Sequence, residues 1–148
     1  MLEDGRLIDN DTVIVGDICI LGAGAAGISI AHEFLEGNHK VILIESGGLD
    51  FDDATQALYD GEDESLGMGD SRSRYFGGST NCWHGVCGPL DNADFATKEW
   101  VPESGWPISR KNLIPYYEKA STLLGIGPFK QFLDMDWDRN IFPGQFFK

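Results

Sequence analysis

Apolar residues gather without alternation at two places early in the chain, Ile18-Cys19-Ile20-Leu21 and Val41-Ile42-Leu43-Ile44. Short runs of this kind, apolar at every position, are what a strand covered on both faces of a parallel sheet presents. Between them the period changes. Gly27, Ile30, Ala31, Phe34 and Leu35 recur at helical spacing, with Ser29, His32, Glu33 and Glu36 off that stripe. This predicts an amphipathic helix running to about Glu36, with Gly37 placed for a left-handed cap. The second strand is expected over Lys40 to Glu45. Strand, helix and strand make one βαβ unit, so the fold class is α/β.

The flanks are less regular. Residues 1–16 read as a lead-in, with a short extended stretch at Thr12 to Val15. Ala54 to Tyr59 is expected to form a short helix. Residues 61–81, rich in Gly, Ser and Asp, read as extended looping chain, and Phe95 to Trp100 as a helical turn. Ser109 is placed to cap a helix ending at Leu124 before Gly125. Pro115 removes a donor inside that stretch, so the firm helix is expected from Pro115, with Tyr116, Ala120, Leu123 and Leu124 facing inward. Phe129, Phe132, Trp137, Phe142, Phe146 and Phe147 crowd the last 20 residues and read as surface that packs on further chain. The domain reading is a lead-in over 1–16, one partial domain over 17–128, and an aromatic-rich segment over 129–148.

Charge narrows the function. The net charge is −13, which opposes a nucleic-acid partner, because phosphate backbones select basic surfaces. Seven acids between Asp50 and Glu64, with no Lys or Arg among them, read as a solvated loop. No apolar run approaches the roughly 20 residues of a membrane span, and the acidic start Met1-Leu2-Glu3-Asp4 lacks the basic-then-apolar pattern of a secretory signal. A cytoplasmic location is therefore the default. Cys19, Cys82 and Cys87 make no disulfide framework. Cys82, His84 and Cys87 are close in sequence, but their spacing matches no closed four-ligand zinc pattern, so no metal is expected.

The candidate chemistry begins at Gly22-Ala23-Gly24-Ala25-Ala26-Gly27. Such a glycine pattern means little alone. Here it follows a strand, opens a helix, and precedes a second strand ending in Glu45, 18 residues past Gly27. That is the context of a dinucleotide site. Gly22 permits the tight turn, Gly24 lets the backbone approach a pyrophosphate, and Gly27 lets helix and strand pack closely. The opening amides at Ala25 and Ala26 face the phosphates. Glu45, with Ser46 beside it, is placed to accept a ribose hydroxyl and would repel a 2′-phosphate. A helix terminus stabilises an anion by about 0.3–1 kcal/mol, whereas nanomolar binding requires about 12 kcal/mol. Other segments must contribute.

A second motif meets that need: Arg72-Ser73-Arg74-Tyr75-Phe76-Gly77-Gly78-Ser79-Thr80-Asn81-Cys82-Trp83-His84-Gly85. It joins an arginine fork, a glycine pair, hydrogen-bonding side chains and a flat indole, which suits a large aromatic cofactor better than a nicotinamide dinucleotide alone. With Gly22–Gly27, Glu45-Ser46-Gly47-Gly48, Pro89-Leu90-Asp91, Gly105-Trp106-Pro107 and Pro115-Tyr116-Tyr117, the chain resembles bacterial members of the glucose–methanol–choline oxidoreductase family over nearly all of residues 17–125.

The resemblance implies a Rossmann-like FAD-binding unit, incomplete relative to the family, in an enzyme that oxidises alcohols, sugars or polyols by hydride transfer to flavin N5. It implies that Arg74, Gly77, Gly78, Ser79 and Asn81 line the stretch from pyrophosphate to flavin, with Cys82, Trp83 and His84 near the flavin end. Two departures stand out. Relatives often carry His where this chain has Cys82, which raises a thioether link to flavin as an alternative to simple packing. Gly88 stands where a basic residue is expected. The family's catalytic histidine lies near the C-terminus of the whole enzyme. His32 and His39 read as surface residues, and His84 as a hydrogen-bonding partner of the flavin or a loop carbonyl. The base and the substrate domain are therefore expected in further chain, the substrate being a small alcohol. Two competing readings remain open: an NAD-dependent dehydrogenase, and a truncated product that is non-catalytic or serves only in interaction.

Overall fold

The computed structural model describes residues 1–60 and 71–130. The chain is mixed α/β and divides into two compact units, Met1–Gly85 and Val86–Lys148. The boundary falls inside the stretch read from sequence as one domain.

The first unit holds β1 (Ile18–Leu21), α1 (Ala25–His32), β2 (Val41–Ile44) and α2 (Asp53–Gln56). β1 and β2 pair in parallel, Ile18 opposite Val41 through to Leu21 opposite Ile44. Asp17 closes one end. Its amide donates to the Lys40 carbonyl at 2.9 Å, and its carboxylate accepts from the Lys40 amide at 2.7 Å. At the other end the Gly22 amide donates to the Ile44 carbonyl at 2.7 Å. β2 is thus one residue shorter at each end than expected.

α1 packs on both strands. Ile20 is buried, while Cys19 is exposed and Leu21 is 78% exposed. The expectation of strands covered on both faces is therefore corrected: in β1 the face of Ile20 is shielded and that of Cys19 and Leu21 is open, while β2 is partly shielded from Val41 to Leu43. α1 itself ends at His32 rather than Glu36. Beyond it the chain tightens into bonds such as Phe34 amide to Ala31 carbonyl and Leu35 amide to His32 carbonyl. These satisfy the terminal carbonyls without a left-handed cap, and Gly37 has no positive φ. Gly27, Ala31 and Phe34 of the predicted stripe are shielded, but Ile30 and Leu35 are exposed. Thr12 to Val15 forms no strand.

α2 and a following 3-10 turn, Ala57–Tyr59, match the expected short helix. The Asp52 carboxylate caps it, accepting from the Thr55 amide at 2.8 Å and the Thr55 hydroxyl at 2.6 Å. Those bonds hold the Asp52 carboxyl below its usual range. The loop expected over residues 61–81 lies partly outside the described residues, and Gly78–Asn81 forms a 3-10 turn rather than extended chain.

The second unit holds α3 (Asn92–Phe95) and α4 (Arg110–Leu124). α3 replaces the helical turn expected over Phe95–Trp100. A reciprocal cap, in which Asp91 and Asp94 each accept from the other's backbone, starts the helix earlier. The next turn is held by Ser104, whose hydroxyl accepts from the Lys98 amide at 2.8 Å. Ser109 caps α4 reciprocally with Asn112, and Gly125 ends it at φ 66°. Pro115 does not delay the helix, which begins at Arg110. The inward face is Leu113, Ile114, Tyr117 and Ser121, so Tyr116 and Leu123 point outward, contrary to expectation. Ala120 and Leu124 border a cavity of about 200 Å³ with Tyr117 and Phe129. The rings of Tyr117 and Phe129 stack at 5.0 Å. The aromatic positions from Phe132 onward lie outside the described residues. Among the described residues, no helix is long and apolar enough to cross a membrane.

Candidate functional site

Between β1 and α1 the chain must reverse within three residues. Gly22 does so at φ 94°, a conformation that side chains oppose. Gly24 follows in extended geometry as the N-cap of α1 and offers no side chain to the helix amides. No side chain therefore caps the opening turn of α1, which stands at the positive end of the helix dipole. A methyl group on Gly22 or Gly24 would meet nothing within 4 Å. A methyl group on Gly27 would strike the Gly22 carbonyl oxygen, with the Ile20 side chain behind it. The first two glycines thus border open space, and the third lets α1 lie against the turn.

Glu45, just past β2, folds back onto that turn. One carboxylate oxygen accepts from the Ala23 amide at 2.7 Å; the other accepts from the Gly47 amide at 3.1 Å and the Ser46 hydroxyl at 3.2 Å. Partial burial alone would raise its pKa. The bonds from Ala23, Gly47 and Ser46 outweigh burial and hold the carboxyl below its ordinary value. Glu45 is half-buried and ionised at neutral pH.

The third piece arrives from residues 74–81. The Gly77 amide donates to the Ala23 carbonyl at 2.8 Å, and the Phe76 amide to the Gly48 carbonyl at 2.9 Å. Gly24 and Gly77 form a parallel bridge. A methyl group on Gly78 would lie 3.1 Å from the Gly24 Cα, and one on Gly47 would strike the Arg74 carbonyl. Three glycine-rich segments, far apart in sequence, are therefore in backbone contact. Asn81 supports the Gly77–Gly78 turn from within, its amide nitrogen donating to the Phe76 and Gly78 carbonyls at 2.9 and 3.1 Å. Ser79 is exposed.

Arg74 is half-buried, and its Nε is buried without a hydrogen-bond partner. Its guanidinium lies 4.5 Å over the Tyr59 ring. Gln56 brackets the same segment, donating to the Arg72 carbonyl at 2.6 Å and accepting from the Arg74 amide at 3.0 Å. Neither Gln56 nor Tyr59 belongs to a motif read from sequence. Their contacts span 15 to 18 residues and leave no local signal.

Cys82, Trp83 and His84 are exposed. The Cys82 thiol donates to the Ser79 carbonyl at 3.2 Å. Among the described residues, no hydrogen bond or ring contact ties Trp83 or His84 to the glycine turn. His39 meets Phe34 edge-on, and His32 lies on the surface. Among the described residues, no group of three or more His, Cys, Asp or Glu is arranged to hold a metal ion.

No protein-family model matches the chain, and no solved structure does. A curated relative, 6'''-hydroxyparomomycin C oxidase of Streptomyces lividus, is 31% identical across 76% of this chain. The match covers 23% of that relative, so the chain spans about a quarter of its length.

Proposed function

We propose that the first unit is the FAD-binding part of a flavin-dependent oxidoreductase of the glucose–methanol–choline type, acting on CH–OH groups. The observation that carries this reading is the convergence of Gly22–Gly27, Glu45–Gly48 and Arg74–Gly78 into one hydrogen-bonded cluster. The relative's name, an oxidase of a hydroxylated compound, agrees in direction and suggests a hydroxyl-bearing substrate.

The residues fit such a cofactor. The open space beside Gly22 and Gly24, the uncapped start of α1 and the Arg74–Gly78 segment bonded to the same turn support a pyrophosphate site there. Ionised Glu45 accepts one bond at the oxygen facing Ala23, which leaves that oxygen a lone pair for a ribose hydroxyl. Its negative charge disfavours a 2′-phosphate. A bound flavin would supply the hydride acceptor. The described residues hold and orient; none is placed as the base that takes the alcohol proton. That base, and the alcohol site, belong in this reading to further chain.

The test is to mix the chain with FAD, remove free ligand, and record bound flavin absorbance, with NAD as the competing ligand. Retained flavin that excess NAD does not displace supports the reading. Tight NAD binding with no flavin retention would replace it with a nicotinamide-dependent dehydrogenase.

A further inference from the structure

We infer that Gln56 and Tyr59 form a clamp that positions Arg74 as the anion-binding arm of the glycine cluster. This inference rests on reading that cluster as a dinucleotide site. Arginine has many rotamers, and a loop residue that must meet a phosphate needs most of them removed beforehand. The structure does this in two places.

Gln56 fixes the backbone. Its side-chain amide uses a donor on the Arg72 carbonyl and its oxygen on the Arg74 amide, as a neighbouring strand would. Gln56 is itself held by its place at the end of α2, whose start Asp52 caps through Thr55. Tyr59, one turn on, fixes the side chain. The Arg74 guanidinium carbon lies 4.5 Å over the Tyr59 ring, a contact that holds the side chain in few of its rotamers. The buried Nε of Arg74 has no partner, and buried donors are rarely left so unless a ligand or water completes them. Two residues beyond Arg74, the chain is fastened to the Gly48 carbonyl and then to the Ala23 carbonyl. The clamp and the glycine turn therefore act on one short, anchored segment.

Gln56 and Tyr59 are positioning residues, and substitution tests them in the full chain. Tyr59→Phe keeps the ring face and is expected to bind FAD within about twofold of the parent. Tyr59→Leu removes the face and is expected to bind roughly tenfold more weakly. Gln56→Ala is expected to weaken FAD binding similarly and to speed hydrogen exchange at the Arg74 amide, while Ile20 and Ile42 amides exchange as before. Equal affinity of Tyr59→Phe and Tyr59→Leu would overturn the clamp, and so would an Arg74 amide that exchanges equally fast with and without Gln56. If the parent chain binds no FAD, the functional reading fails by itself. The Arg74 exchange comparison and a titration with inorganic pyrophosphate, in the parent and Tyr59→Leu, then decide the clamp separately.

Discussion

A single methyl group at Gly27 separates two geometries of the turn. The carbonyl of Gly22 occupies the place where that methyl would sit, in a turn whose start is tied by the Gly22 amide to the Ile44 carbonyl. Gly27→Ala should therefore destabilise the first unit by about 1–3 kcal/mol, the usual cost of overpacking. Urea denaturation would measure it, and an unchanged midpoint would mean the turn relaxes freely. Glu45 carries a different signature. Its folded pKa is depressed, so its contribution is fully present above the unfolded carboxylate pKa and is lost as pH falls through the lower folded value. Glu45→Gln should therefore cost stability at neutral pH and cost little in acid below that window. A gap between parent and variant that stays constant down to pH 2 would contradict the assignment. The tight turn at Gly22 and the close packing at Gly27 are legible in sequence because each answers a backbone demand within a few residues. Gln56 and Tyr59 were not legible, because their partners lie on a distant segment and their residue types are ordinary on a short helix.

At the scale of elements, α4 shows what local chemistry settles and what it leaves open. Ser109 and Gly125 mark its ends in sequence, and the structure ends it there, since cap and left-handed terminus are formed by near neighbours. Its phase is different. The reciprocal cap of Ser109 and Asn112 starts the helix at Arg110, but what packs against it decides the covered face, which holds Tyr117 and Ser121 rather than Tyr116 and Leu123. Pro115 sits in the helix interior, where it offers no amide to the Lys111 carbonyl. Pro115 is exposed, so its replacement leaves no buried cavity. Pro115→Ala should stabilise the second unit by up to about 3 kcal/mol. A thermal midpoint at or below that of the parent would indicate that the proline restrains the unfolded chain more than it strains the helix. α1 departs from expectation for a related reason. Its apolar stripe continues past His32 in sequence, but tightened turns end the regular helix before Leu35 is covered.

For the whole molecule, the two-stranded sheet was legible from its apolar runs, but the shielding of its second face was not, because burial depends on what packs there. Among the described residues only Ile20, Ala23 and Phe129 are buried apolar residues, and no large side chain is fully enclosed. Leu21, Leu35, Val86 and Trp100 are each more than half exposed. Burial of apolar area is the main favourable contribution to folding, at about 25 cal/mol per Å², and here it is small. The chain alone should therefore unfold over a broad range with a low midpoint, and should bind a dye that reports exposed apolar surface. FAD at a hundredfold excess over its dissociation constant would add about 2.7 kcal/mol to any state that holds it. That increment is large against a marginal core, so calorimetry with and without FAD is a sensitive reading of the site. A sharp, dye-silent transition unmoved by FAD would show that the chain reaches stability without the cofactor, and that the glycine cluster serves the fold rather than a ligand.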